Sequence, residues 1–464
     1  MSSPIIWIVI PAFASIILWF FNHQRLVTML GATLLCLGLG VLAIFLPVDV
    51  QIKLGGLSFQ IGSELVFFGR KFILEDSTRP VLGFIFGSGA FWFLGAYFSD
   101  AHRYFWPFGL LVFSLLVGAL AVQPYFYSAL IIEVAVLLSI PILFPPGKKI
   151  SQGGLRYLIF QSLALPVILF SGWFAAGVEA NPGSQSLILQ AVIFLGLGVA
   201  FWLAVFPFYS WVPLLLDETH IYSASFMISI LNNICLFTLL NLFDSFEWLR
   251  AYPLLPDILR LVGGIMVFTA GTWAIFERRL SRLLGYAVIL ETGMAMVCLS
   301  LLNIDGYRVF LAMLVPRLIS MGVWTICLVA FFSEGYFNIE DLSGILRKKP
   351  FTTISFLIAY MSLGGLPLLA VFPLRFIIYE NLATQSLAAV AWVFLGHILF
   401  LVTGFRLVYQ VFKSANAQWT LQEKWPLALL TSLGALSLVF MGLFPDWLLR
   451  ISGALLKSFP HLNF

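Results

Sequence analysis

The chain has 464 residues, 61% of them hydrophobic and 10% charged, with a mean hydropathy of +1.02 and a formal net charge of +4. Soluble domains carry about 45–50% apolar and about 25% charged residues. So few charges exclude a water-facing globule of this length, and a small, dispersed net charge excludes the basic stripe of a nucleic-acid binder.

Lipid is therefore the main solvent, which leaves helices or closed barrels because the backbone must satisfy its own hydrogen bonds. Barrel strands alternate apolar and polar residues over about 10 positions. Here continuous apolar runs approach the roughly 20 residues of a spanning helix. In chain order the expected spans are Pro4–Phe21, Leu26–Pro47, Arg79–Phe98, Phe105–Gln123, Pro124–Pro145, Gly154–Val178, Leu187–Phe206 and Ile221–Phe243. Pro256–Phe276, Ser281–Leu302, Gly306–Phe332, Phe351–Asn381, Gln385–Lys413 and Trp425–Arg450 follow, giving an all-α polytopic membrane protein of roughly fourteen transmembrane helices. The first run is a retained span, because only Met1 to Ser3 precede it, without a signal peptide's basic region. Val48 to Thr78 is too polar to span, and Gly55, Gly56, Gly62 and Gly69 between β-prone runs predict a surface hairpin.

Lys and Arg concentrate on one side of the alternating loops, at Arg278, Arg279, Arg282, Lys348 and Lys349 among others. By the positive-inside rule that side is cytoplasmic, and an even number of spans puts both termini outside. Cys36, Cys235, Cys298 and Cys327 stand singly in apolar runs and read as small core hydrophobes, so no metal site and no disulfide framework is expected. No Gly-rich phosphate loop, paired-Cys cluster or haem spacing occurs, which leaves no cofactor and no redox chemistry of the chain's own.

Two spans carry interruptions: Pro207 followed by Pro213, and Gly364-Gly365-Leu366-Pro367 followed by Pro373. Proline removes a donor and clashes with the preceding turn, freeing carbonyls. Paired interruptions in two halves point to an inverted-repeat transporter with a midplane site.

Pro207-Phe208-Tyr209-Ser210-Trp211-Val212-Pro213 with Ser223-Ala224-Ser225, Ser362 to Pro367 with Arg375-Phe376, Arg278 to Tyr286, and Leu130-Ile131-Ile132-Glu133-Val134 resemble motifs of one family. It is the antiporter-like, proton-conducting membrane subunits of NADH:quinone oxidoreductase (complex I), Mrp-type antiporters and membrane-bound hydrogenases. The resemblance implies fourteen spans, with helices seven and twelve broken and two inverted five-helix repeats. The corresponding divisions are residues 1–104 with the hairpin, 105–243 as first repeat, 256–413 as second repeat and 414–464 as the C-terminal helix. It also implies partners: other membrane subunits of a multisubunit redox or antiporter complex, the lipid bilayer of a bacterial-type inner membrane, and protons or sodium.

In that family a glutamate on helix five pairs with a lysine on helix seven, and lysines or histidines on helices eight, eleven and twelve continue the relay. Glu133 takes the glutamate's place, but Trp202 falls at the helix-seven lysine, Asn232 or Asn233 at the helix-eight position, Arg317 and Met321 at helix eleven and Arg375 at helix twelve. Arginine holds its proton above pH 12, so the relay is degenerate. Ionisable residues inside spans cost about 2.5–3.5 kcal/mol on the insertion scale, which makes each a functional candidate. Glu133 is either a relay carboxylate or a neutral helix-contact residue, and Arg375 either a pathway charge or a clamp on freed carbonyls. Glu291 is the expected partner of Arg317, His397 lines the pathway or snorkels, and Asp217, Glu218 and His220 form a solvated loop. The functions left open are an altered proton pump, a non-pumping scaffold subunit and a sodium/proton antiporter component.

Overall fold

The computed structural model describes residues 2–54, 57–413 and 419–462; Gly55 and Gly56, counted above among the hairpin glycines, lie outside the described residues. A short turn, Ile5–Val9, runs into α1 (Ile10–Phe20), and α2 (Arg25–Phe45) follows. The polar segment then forms two hairpins rather than the single one expected. β1 (Gln51–Leu54) pairs antiparallel with β2 (Leu57–Gln60), and β3 (Glu64–Phe67) with β4 (Arg70–Ile73). The second hairpin closes on Phe68 and Gly69, both at positive φ, the geometry that two-residue hairpin turns require.

After α3 (Arg79–Phe98) and α4 (Phe105–Ala121), β5 (Val122–Gln123) adds to β4 and ties the hairpin to the end of α4. The first half continues with α5 (Ser128–Leu138), α6 (Ile140–Leu143), α7 (Gln152–Ala180), α8 (Gln185–Trp202), α9 (Trp211–Glu218) and α10 (Ile221–Ser245). The second half contains α11 (Glu247–Arg250), α12 (Leu255–Phe276), α13 (Leu280–Leu299), α14 (Ile304–Phe332) and α15 (Ile345–Lys348). It goes on through α16 (Pro350–Gly364), α17 (Val371–Gln385) and α18 (Leu387–Phe412), and the chain finishes with α19 (Trp425–Leu443) and α20 (Asp446–Leu456). The last expected span thus divides: Phe444 leaves the helix and Pro445, with no N–H to extend it, starts a separate helix packed on α14.

Among the described residues, eleven helices are long and apolar enough to cross a membrane, and three shorter apolar ones, Ile5–Phe20, Phe105–Ala121 and Pro350–Gly364, accompany them. The mostly buried α10, α13 and α14 form the interior, while α7, α12, α18 and α19 turn most of their surface outward. Association in lipid depends on close packing, and small residues let backbones approach. A side chain at Gly263 of α12 would meet the Gly293 carbonyl of α13, at 2.6 Å, and one at Gly271 would collide with the Gly396 backbone of α18. α12 is thereby welded to both neighbours. Helix ends are capped from nearby: Ser151 and Glu218 accept from the Gly154 and Gly153 amides at the start of α7, and Asn303 accepts from Gly306 at the start of α14.

Candidate functional site

Both interrupted spans break into two half-helices. α8 stops at Trp202, and the chain crosses Pro207 and a tight turn before α9 begins, with Pro213 inside the first turn of α9. α16 stops at Gly364, and Gly365 at φ 77° turns the chain in the left-handed region that glycine alone enters without a steric penalty. Pro367 lies in the linker, and Pro373 sits near the start of α17.

Each break leaves carbonyls without a helical partner, and in each a polar side chain from another element takes one. Gln161 of α7 donates its Nε2 to the Trp202 carbonyl at 3.2 Å. Arg375 of α17 donates to the Leu363 carbonyl at the end of α16. The same guanidinium meets Glu291 of α13 at 2.7 Å, with both side chains almost wholly buried. This pairing differs from the expectation that Glu291 faces Arg317. Arg317 is buried on α14 near enough to feel the Glu291 charge, but the direct bond goes to Arg375.

From this ion pair the polar residues extend in both directions. Thr292, next to Glu291, accepts from Asn232 Nδ2 of α10 at 2.8 Å. Asn233 is buried beside Asn232, and Met321 of α14 is buried and apolar. A small cavity lined by Trp202, Trp211, Asn232 and Thr292 joins the first break to α13. On the other side, one turn beyond Arg375, the Tyr379 hydroxyl lies 2.6 Å from Nδ1 of buried His397 on α18. At the opposite end, half-buried Glu133 accepts at Oε1 from the Ser162 hydroxyl of α7 at 2.6 Å, and its neighbour Gln161 reaches Trp202.

Several buried polar atoms of this row have no protein partner: Glu133 Oε2, Gln161 Oε1, the Oδ1 atoms of Asn232 and Asn233, Arg375 Nε and Nη1, and His397 Nε2. Buried polar atoms are normally hydrogen-bonded, to protein or to ordered water. Their concentration in one row fits a hydrated polar path through the bundle. Sequence reasoning missed Ser162, Gln161, Thr292 and Tyr379. Each is a polar side chain inside an apolar span, and their sharing one row is visible only in three dimensions.

The connection holding Asp217, Glu218 and His220 is only in part the solvated loop expected: Glu218 is exposed, but Asp217 is not. The Asp217 side chain is 5% exposed and is held by Arg279 at 2.8 Å, Arg282 at 2.9 Å and the Ser281 hydroxyl at 2.6 Å. It ties α9 to the start of α13, where Gly285 packs against the Pro213 backbone. Burial alone would raise its pKa; hydrogen bonds from Ser281 and Arg279 and the charges of Arg282 and Arg279 outweigh that and hold it below the ordinary carboxylate value. A depressed folded-state value stabilises the fold above the unfolded-state value, and the contribution disappears as pH falls through the folded-state one. Asp217→Asn is therefore expected to cost about 1 kcal/mol at neutral pH, since both arginines are partly exposed and screened. Thermal unfolding in detergent at pH 7 and pH 3 checks it: the gap between the two proteins should narrow at the lower pH.

Residues 174–402, just under half of the chain, match the family model described as "NADH:quinone oxidoreductase/Mrp antiporter, TM". The chain is 24% identical over 419 residues to NADH-quinone oxidoreductase subunit N of Coxiella burnetii, covering 83% of this chain and 85% of that one. It is 25% identical to chloroplastic NAD(P)H-quinone oxidoreductase subunit 2 of Chlorokybus atmophyticus over 48% of this chain. Of the first curated relatives the chain spans 46%, 66% and 53% of their own lengths. A chain in respiratory complex I of Thermus thermophilus superposes with a TM-score of 0.76 at 20% identity, over 99% of this chain and 100% of that one. A chain in the Mrp complex of a Dietzia species gives 0.78 at 14% identity, over 99% of both. The sequence resemblance therefore reaches the family model across residues 174–402 and a curated relative over 83% of the chain, and the likeness in fold covers nearly the whole chain.

Proposed function

We propose that this chain, an antiporter-like membrane subunit of the NADH:quinone oxidoreductase type by its resemblances, serves beside other membrane subunits in a proton-translocating redox complex and carries a degenerate relay. The observation that carries the reading is the row of polar side chains from half-buried Glu133 through buried Gln161, Asn232, Thr292, Glu291 and Arg375 to His397, threaded past both helix breaks. Fourteen spans, with inverted repeats at residues 105–243 and 256–413, are the architecture we assign. The equivalent treatment of the two breaks supports it, because in each a side chain from another element caps the freed carbonyl. Both termini lie outside a bacterial-type inner membrane on this reading. Sodium as the moving ion, in an antiporter rather than a redox complex, is the alternative for the same fold.

Protons move along such a row through water and titratable groups. The row holds Glu133, Glu291 and His397, and among its described residues no lysine. Glu133 meets a serine hydroxyl and not a cation, so nothing at its position couples loss of a proton to movement of a charged partner. Arg317 and Arg375 supply fixed positive charge, which repels a hydronium wherever carboxylates do not offset it. The subunit on this account pumps weakly or holds the fold in place for its neighbours. The purified complex in sealed vesicles tests it. Wild type and Glu133→Gln should move the same number of protons per electron pair. A clear drop in the variant, with assembly and electron transfer intact, would show that Glu133 works in an effective altered relay.

A further inference from the structure

We propose that a groove between α12 and α18 is a built site for one phospholipid, with the zwitterionic headgroup on the Asp257–Arg260 pair and an acyl chain lying between the helices. The groove is a stripe in the sequence: Asp257, Arg260, Leu261, Gly264 and Phe268 share one face of α12, opposite Trp392 of α18. Its shape follows from the glycine weld. α12 and α18 touch backbone to backbone at Gly271 and Gly396, and just above that contact Phe268 and Trp392 meet edge to face at 5.0 Å, closing the floor. From there toward the start of both helices the groove opens. Arg260 stands eight residues above Phe268, about 12 Å along the helix axis.

The rim is charged and the walls are apolar, as a lipid at the membrane surface requires. Arg260 is mostly buried on an otherwise lipid-facing helix; it bonds Asp257 at 3.3 Å and Gln385 through its terminal nitrogens. Its Nε is buried with no acceptor. Asp257 is left largely exposed beside it. The two terminal nitrogens carry four N–H bonds and give two to Asp257 and Gln385, so a phosphate can accept from the others, while an ammonium group reaches the exposed carboxylate. That complementarity selects a headgroup carrying both charges, such as phosphatidylethanolamine, over a quinone, which has only carbonyl acceptors.

Gly264 supplies an independent handle. A Cβ there would find its nearest neighbour, a Val393 methyl, at 4.0 Å, so a larger side chain enters the groove without parting the helices. The full chain, purified in mild detergent and stripped of lipid, is titrated with phosphatidylethanolamine or phosphatidylglycerol, and bound lipid is counted by native mass spectrometry. Wild type should retain one phosphatidylethanolamine. Arg260→Gln should weaken it about tenfold, in line with loss of a charge-assisted hydrogen bond, and Gly264→Leu should abolish it at an unchanged unfolding temperature. Asp257→Asn should weaken phosphatidylethanolamine while sparing phosphatidylglycerol. Retention of the lipid by Gly264→Leu overturns the proposal, as does its displacement by an equimolar short-chain quinone.

Discussion

Arg375→Met is expected to destabilise the protein by about 3–5 kcal/mol, the cost of leaving one partner of a buried ion pair uncompensated. Two losses combine in this variant. Glu291 keeps a carboxylate on the innermost face of α13 with its guanidinium gone, and the Leu363 carbonyl loses the donor that caps the end of α16. Replacing both partners by apolar residues of similar volume, as in Glu291→Leu with Arg375→Met, removes the orphaned charge and should recover most of the loss, because buried pairs often contribute little over a packed hydrophobic pair. What the double variant cannot recover is the freed carbonyl and the Glu291 charge that buried Arg317 feels, so at least about 1 kcal/mol should remain missing. Arg375→Lys keeps the charge, but both bonds come from one terminal nitrogen at the far end of the guanidinium, and a lysine ammonium on its shorter side chain reaches carboxylate and carbonyl less closely. Its stability should fall between wild type and Arg375→Met. Thermal unfolding of the four proteins in one detergent gives the comparison directly. Equal loss in the single and double variants would show that the pair itself, and not the orphaned charge, dominates.

The spans and both breaks were legible because their signals are local: apolar runs of sufficient length, and Pro or Gly inside them. Pairing of charges was not. Glu291 and Arg375 are 84 residues apart, and sequence spacing placed Glu291 beside Arg317 because their helices are consecutive. The broken helix changed the outcome, since the linker after Gly365 lets α17 restart with Arg375 aimed back at both the end of α16 and the face of α13. Asp217 misled for a related reason: a short acidic connection reads as solvated, and only the approach of Arg279, Ser281 and Arg282 from the next helix pair buries it. Two errors had signals that could have been used. Phe68-Gly69 marks the turn of a second hairpin, and Pro445 followed by Asp446 marks a new helix start rather than a continuing span.

Trp202→Lys should make proton movement depend on Glu133, which the wild-type arrangement does not support. Position 202 ends α8 at the first break, and Gln161, which holds its carbonyl, adjoins Ser162, which holds Glu133. A lysine there enters a buried, mixed-polarity space next to the cavity shared with Asn232 and Thr292. Desolvation favours its neutral form and a nearby carboxylate its charged form, so its proton affinity becomes sensitive to the state of Glu133. That sensitivity is the coupling that Trp202, which has only an indole N–H donor, cannot provide. The substitution also removes a large buried ring, at a cost of about 3–5 kcal/mol, so Trp202→Leu is the control for lost volume. In sealed vesicles, adding Glu133→Gln should leave the proton-to-electron ratio unchanged in the leucine background and lower it in the lysine background. If the lysine background is equally indifferent to Glu133, the missing lysine is not what silences this path, and the fixed charges of Arg317 and Arg375 become the barrier to remove next.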